Sequence, residues 1–92
     1  MLYVVSYDMP DTPRRTKVAK VLMDYGTRVQ YSVFECRLEE RSLLDKMCRR
    51  LDRLIQVEED NLRIYAVCAS CQEVILLKGT ARMLEDPDVY IV

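Results

Sequence analysis

The chain has 92 residues, half of them apolar, with 14 Lys or Arg, 15 Asp or Glu, no histidine and a formal net charge of −1. That length makes one domain with a thin core, because a chain this short buries only about 60–65% of its unfolded surface. The composition excludes a disordered chain and any Ser-His-Asp or Cys-His nucleophile. No apolar run approaches the roughly 18 residues of a bilayer span, so no membrane partner is expected.

Residues 2–7, LYVVSY, read as a buried strand ending at Asp8. Pro10 closes it, since proline cannot donate to a ladder. Thr12-Pro13 marks a helix start, with Thr12 as the cap and Pro13 in the first helical position. Val18, Val21, Leu22 and Tyr25 then recur at the spacing of one helical face. Gly26 is expected to end that helix in a left-handed conformation. Residues 27–38 are rich in β-branched and aromatic side chains, giving a short edge strand near 27–30, a tight turn at Tyr31-Ser32 and a strand over 33–38. There Phe34, Cys36 and Leu38 alternate with Val33, Glu35 and Arg37, so one face is apolar.

Residues 41–56 carry a wide apolar stripe, from Leu43 to Ile55, and read as a second helix. After the polar turn Glu58-Glu59-Asp60-Asn61, residues 62–68 and 73–78 read as strands, and DVYIV follows Pro87 as a short apolar segment. The order β-α-β-β-α-β is that of a ferredoxin-like α+β fold, an antiparallel sheet with two helices on one face, here with an extra C-terminal strand. We divide the chain into a domain over residues 1–78 and a tail over 79–92.

Leu62, Ile64 and Ala66 are expected to face the helices together with Phe34 and Cys36. The other face then carries Val33, Arg63, Tyr65 and Val67, with either Tyr3, Val5 and Tyr7 or their alternate neighbours from the first strand. That face is too apolar for water and fits a second copy placed by twofold symmetry. The tail either adds to the partner's sheet edge or folds back on its own.

The near-neutral total conceals a basic middle, with eleven Lys or Arg against six Asp or Glu over residues 12–53. Arg14, Arg15, Lys17 and Lys20 fall within seven residues of the first helix, and Arg28 lies just beyond Gly26. They fit either a track for a phosphate backbone or a solvated helix face. Asp8 sits at a strand end, where a rigid scaffold presents functional groups, and Asp11 follows. The pair fits Mg²⁺ bound through carboxylate, water and phosphate, or Asp8 capping a turn and Asp11 preceding the helix for the sake of its dipole.

Cys68-Ala-Ser-Cys71 is a C-x-x-C without an expected following helix, and no histidine is present to complete a zinc set. The four cysteines therefore read as structural, buried thiols. With no basic leader at the start, the chain is expected to be cytoplasmic with its thiols reduced.

Taken together, Tyr7-Asp8-Met9, the run Arg14 to Val18, Tyr25-Gly26, the run Arg28 to Glu35 and Arg63-Ile64-Tyr65 resemble the CRISPR-associated protein two family. The resemblance covers residues 1 to about 67. It implies a ferredoxin-like homodimer acting in spacer acquisition, which bridges copies of the CRISPR integrase subunit and binds protospacer DNA. It also implies metal-dependent endonuclease activity on single-stranded RNA or double-stranded DNA. Asp8 matches the family's strand-end aspartate and Tyr7 its neighbouring tyrosine. Arg15 and Lys17 fall nearest its helix bases, and Arg28 and Phe34 match its second motif. Two Asp8 side chains meeting across a twofold axis would form a paired-carboxylate site for Mg²⁺. The alternative, independent of the resemblance, is a ferredoxin-like regulatory or ligand-binding module without nuclease activity.

Overall fold

The computed structural model describes residues 1–83. The apolar segment at 89–92 and most of the expected tail lie outside the described residues. The elements are β1 (Leu2–Asp8), α1 (Thr12–Met23), β2 (Thr27–Gln30), β3 (Val33–Arg37), α2 (Arg41–Asp52), β4 (Asn61–Val67) and α3 (Ala69–Gln72). The four strands form one antiparallel sheet in the order β2-β3-β1-β4. This is the ferredoxin-like α+β arrangement expected from the sequence.

Strand register fixes the core. Val5 lies between Phe34 and Ile64, and Tyr3 between Cys36 and Ala66. Directly paired residues share a face, so Tyr3, Val5 and Tyr7 point toward the helices with Phe34, Cys36, Leu62 and Ile64. Val18, Leu22, Met47 and Leu51 close the core from α1 and α2. The opposite face therefore takes the alternate set from β1, namely Leu2, Val4, Ser6 and Asp8, beside Val33, Glu35 and Arg37 and beside Asn61, Arg63, Tyr65 and Val67. Tyr65 is half exposed there.

Several local expectations are corrected. The cap of α1 is Asp11, whose carboxylate accepts the Arg14 N–H at 2.9 Å; such a cap contributes about 1 kcal/mol. Thr12 is already helical. Gly26 does not have a positive φ; among the described residues only Gly79 does. Its missing side chain serves close packing instead. A Cβ there would collide with the Glu35 carbonyl oxygen and lie 2.6 Å from Cys36 Sγ. The second helix ends at Asp52 rather than 56, because the Asp60 carboxylate captures the Gln56 N–H at 2.9 Å and folds residues 56–60 into a turn. Leu54 and Ile55 still pack on the core.

Residues 73–78 form no strand. They follow α3 without a ladder partner, and Val74 and Leu76 are largely exposed. Gln72 anchors the start of this segment. It accepts from Arg37 Nη1 at 2.7 Å and donates to the Val67 carbonyl at 3.0 Å. Those two residues flank Leu2 in the sheet, and Leu2 is fully buried. No helix among the described residues is long and apolar enough to cross a membrane.

Candidate nucleic-acid interface

Asp8 ends β1, is exposed, and pairs with Asn61. Tyr7, one residue earlier, necessarily points to the other face of the sheet. It is buried and stacks on Phe34 with ring centroids 6.3 Å apart. The two residues expected to act together thus serve opposite surfaces of one strand end. Among the described residues no group of three or more His, Cys, Asp or Glu side chains converges, so a single chain presents Asp8 as a lone carboxylate.

On the helix side, Tyr7 opens onto a cleft of about 290 Å³ lined also by Arg15, Lys20, Arg28 and Tyr31. Three cations and two phenols line it, with no acid. Each position has a local cause. Arg28 pairs with Phe34 in the β2–β3 hairpin, which puts its guanidinium 5.2 Å from the Phe34 ring centroid. A β-bulge between Arg28 and Gln30 re-aims this strand. Arg15 donates to the Met9 carbonyl at 2.8 Å and to Thr12 Oγ1 at 3.0 Å. It therefore clamps the turn that follows Asp8. Lys20 lies one helical turn further along the cleft wall.

The other two helix bases go elsewhere. Arg14 is held by the acidic turn before β4, with Glu59 at 2.7 Å and Asp60 at 2.8 Å. The hydrogen bonds that Arg14 donates to Asp60 and then to Glu59 raise its already high pKa, and the same donation to Asp60 lowers the pKa of that carboxylate. Lys17 lines a separate cleft with Asp11, Arg14 and Arg53. Of the five bases singled out in the sequence, the fold gathers Arg15, Lys20 and Arg28.

Sequence reasoning passed over two features. Tyr31 stands at the cleft mouth and is largely exposed; an aromatic residue at a tight turn, three positions after an arginine, was the available signal. Cys68 and Cys71 are exposed rather than buried, and a short helix does follow Cys68.

Comparison with known proteins places the chain in a family. The family described as CRISPR associated protein Cas2 matches residues 1–75. A Chloroflexus aurantiacus protein named CRISPR-associated endoribonuclease Cas2 1 is 47% identical over 94 residues, spanning the whole of both chains. The crystal structure of Streptococcus pyogenes Cas2 superposes with a TM-score of 0.74 at 33% identity, over 86% of this chain and 100% of that one. A chain of a partial Cas6-RT-Cas1–Cas2 complex gives a TM-score of 0.73 at 26% identity, over 82% of this chain and 87% of that one. With the family matched over most of its length and a relative aligned from end to end, the chain belongs to the CRISPR associated protein Cas2 family.

Proposed function

We propose that this protein acts in CRISPR spacer acquisition as a homodimer that grips nucleic acid, bridges the integrase subunit, and cleaves phosphodiester bonds with Mg²⁺. The observation that carries this reading is the acid-free basic cleft of Arg15, Lys20 and Arg28 beside the strand end that bears Asp8. The endoribonuclease name of the Chloroflexus relative supports the cleavage chemistry. The Cas1–Cas2 assembly that holds a similar chain supports the integrase partner.

The open sheet face supports the homodimer. Val4, Val33, Val67 and Tyr65 lie on it beside Glu35, Arg37 and Arg63, a mixture of apolar patch and charge suited to a self-complementary twofold contact. Asp8 belongs to that same face, so pairing of two copies is the arrangement that can turn a lone carboxylate into two. Exposed carboxylate oxygen is the right donor for a hard cation, and Mg²⁺ accepts one or two carboxylates with water and phosphate completing its shell. When bound, the ion would polarise the phosphoryl oxygen and lower the pKa of water. The chain's own part is positional. Asp8 presents its oxygens at a rigid strand end, Arg15 fixes the adjoining turn, and Arg15, Lys20 and Arg28 hold phosphate oxygens in the cleft. Tyr7 lines the cleft and braces Arg28 through Phe34.

Asp8→Asn tests the reading. A highly purified sample should lose Mg²⁺-dependent cleavage of single-stranded RNA or double-stranded DNA, while light scattering still reports a dimer. Undiminished cleavage would remove Asp8 from the chemistry. The same variant assayed for spacer capture separates the scaffold role from the nuclease role. Retained capture without cleavage assigns acquisition to shape and binding alone.

A further inference from the structure

The C-x-x-C turn between β4 and the C-terminal segment has no part in the function proposed above. Its four-residue window is built differently from the surroundings of the other two cysteines. Cys36 is buried in the core between α1 and the sheet, and desolvation pushes its thiol up to about 11. Cys48, half-buried on α2, is raised by burial and by Asp52 and Asp45. Cys68 and Cys71 are both exposed; Cys68 caps α3 and Cys71 lies within its single turn.

That turn is closed by backbone bonds on both sides, from the Gln72 N–H to the Cys68 carbonyl at 2.9 Å and from the Val74 N–H to the Cys71 carbonyl at 3.2 Å. Cys68 is the extended cap of α3 and Cys71 its third residue, so the two side chains leave the same single turn. A disulfide needs Cβ atoms about 3.5–4.5 Å apart, and C-x-x-C spacing across one turn is a spacing at which dithiols close. The Cys68 sulfur already lies 3.3 Å from the Ser70 hydroxyl, within hydrogen-bond reach. Interaction with Ser70, and then with Cys71, lowers the Cys68 pKa to about 7, whereas interaction with Cys68 raises that of Cys71. No third metal ligand joins the pair among the described residues.

We infer that Cys68 and Cys71 form a reversible dithiol–disulfide site, with Cys68 as the attacking thiolate and Cys71 as the resolving thiol, oxidised by low-molecular-weight disulfides of the glutathione type. In the first step the Cys68 sulfur attacks one sulfur of the reagent. A Cys68–S bond forms, the reagent's S–S bond breaks, and one glutathione thiolate leaves. Cys71 then loses its proton and attacks Cys68; the Cys68–Cys71 bond forms and the second glutathione leaves as thiolate. Two protein thiols are oxidised, one reagent disulfide is reduced to two thiols, and the two cysteine protons end on the released thiols. The bridge would staple the turn from which Gln72 reaches Arg37 and Val67, so oxidation acts on the junction between β4 and the segment after it.

The test is intact-mass and peptide mapping of the full chain in anaerobic buffers of oxidised and reduced glutathione at neutral pH. The wild-type protein should lose two hydrogens, become resistant to alkylation at Cys68 and Cys71 alone, and recover on reduction. Cys71→Ser should stop as a stable glutathionyl adduct on Cys68. Cys68→Ser should acquire an adduct on Cys71 about tenfold more slowly or less, because its thiolate fraction is smaller. All four thiols staying alkylatable under strongly oxidising ratios would overturn the inference. So would a bridge between chains, oxidation starting at Cys36 or Cys48, or equal reaction rates for the two serine variants. Both substitutions are at exposed positions, and a circular dichroism spectrum matching wild type confirms that each variant is folded.

Discussion

Gly26 shows how a single residue type can be required for a reason other than backbone freedom. Its hydrogen atom faces the Glu35 carbonyl and Cys36 of β3, where α1 hands the chain to the sheet. Gly26→Ala drives a methyl group into backbone that cannot rotate away. It should destabilise the fold by about 1–3 kcal/mol, the usual cost of overpacking, read as a lower midpoint in urea with an unchanged slope. The glycine was visible in the sequence as a helix terminator; its packing partner, nine residues on, was not, because local patterns carry no distance across a hairpin. Arg28 is a second instance. The sequence marked its charge, while the Phe34 face beneath it depends on the β2–β3 register. Arg28→Ala should cost roughly 0.5–1 kcal/mol in stability from the lost cation–π contact, beyond any loss of nucleic-acid affinity.

Elements were legible where periodicity had a sign. The alternation Phe34, Cys36, Leu38 and the stripe of α1 placed the right faces inward. β1 gave no such sign, since LYVVSY is apolar on both faces, and only its pairing with β3 and β4 decides that Val5 and Tyr7 go to the core. The end of α2 was hidden for a related reason. Leu54 and Ile55 continue the helical stripe, and a carboxylate further along the chain stops the helix. Residues 73–78 have strand composition, but a strand also needs a ladder partner, and among the described residues they pair with neither open edge of the sheet, β2 or β4. The turn of residues 56–60 also links elements electrostatically. Arg14 on α1 holds Asp60, whose carboxylate lies shielded from solvent, and Glu59. With the folded Asp60 pKa depressed, this link is fully present above the ordinary carboxylate range and is lost as pH falls through the folded value. Wild-type stability should therefore decline below about pH 4 more steeply than that of Arg14→Gln, measured by urea unfolding across a pH series.

For the molecule as a whole, charge is segregated by surface. The helix-side cleft concentrates Arg15, Lys20 and Arg28, whereas the open sheet face mixes signs. Binding of duplex DNA should weaken with salt. The double variant Lys20→Ala/Arg28→Ala should reduce the slope of log affinity against log salt by about 1–2, uniformly across sequences. Assembly should respond to a different surface. Val4 lies at the centre of the open face between Glu35 and Tyr65, and if that face forms the proposed homodimer, Val4→Asp should shift the protein from dimer to folded monomer in light scattering while leaving its circular dichroism unchanged. A variant that stays dimeric would place the subunit contact elsewhere.

The pleat of the first strand adds an arithmetic constraint. Because Tyr7 and Asp8 at the end of that strand belong to opposite worlds, one dry and aromatic, one wet and acidic, the count of residues from Leu2 to Asp8 matters by parity. Lengthening that stretch by one would send a carboxylate into the interior and push a phenol ring out. Only changes in steps of two keep each chemistry on its own side, so the number of links in a short strand is itself part of the site.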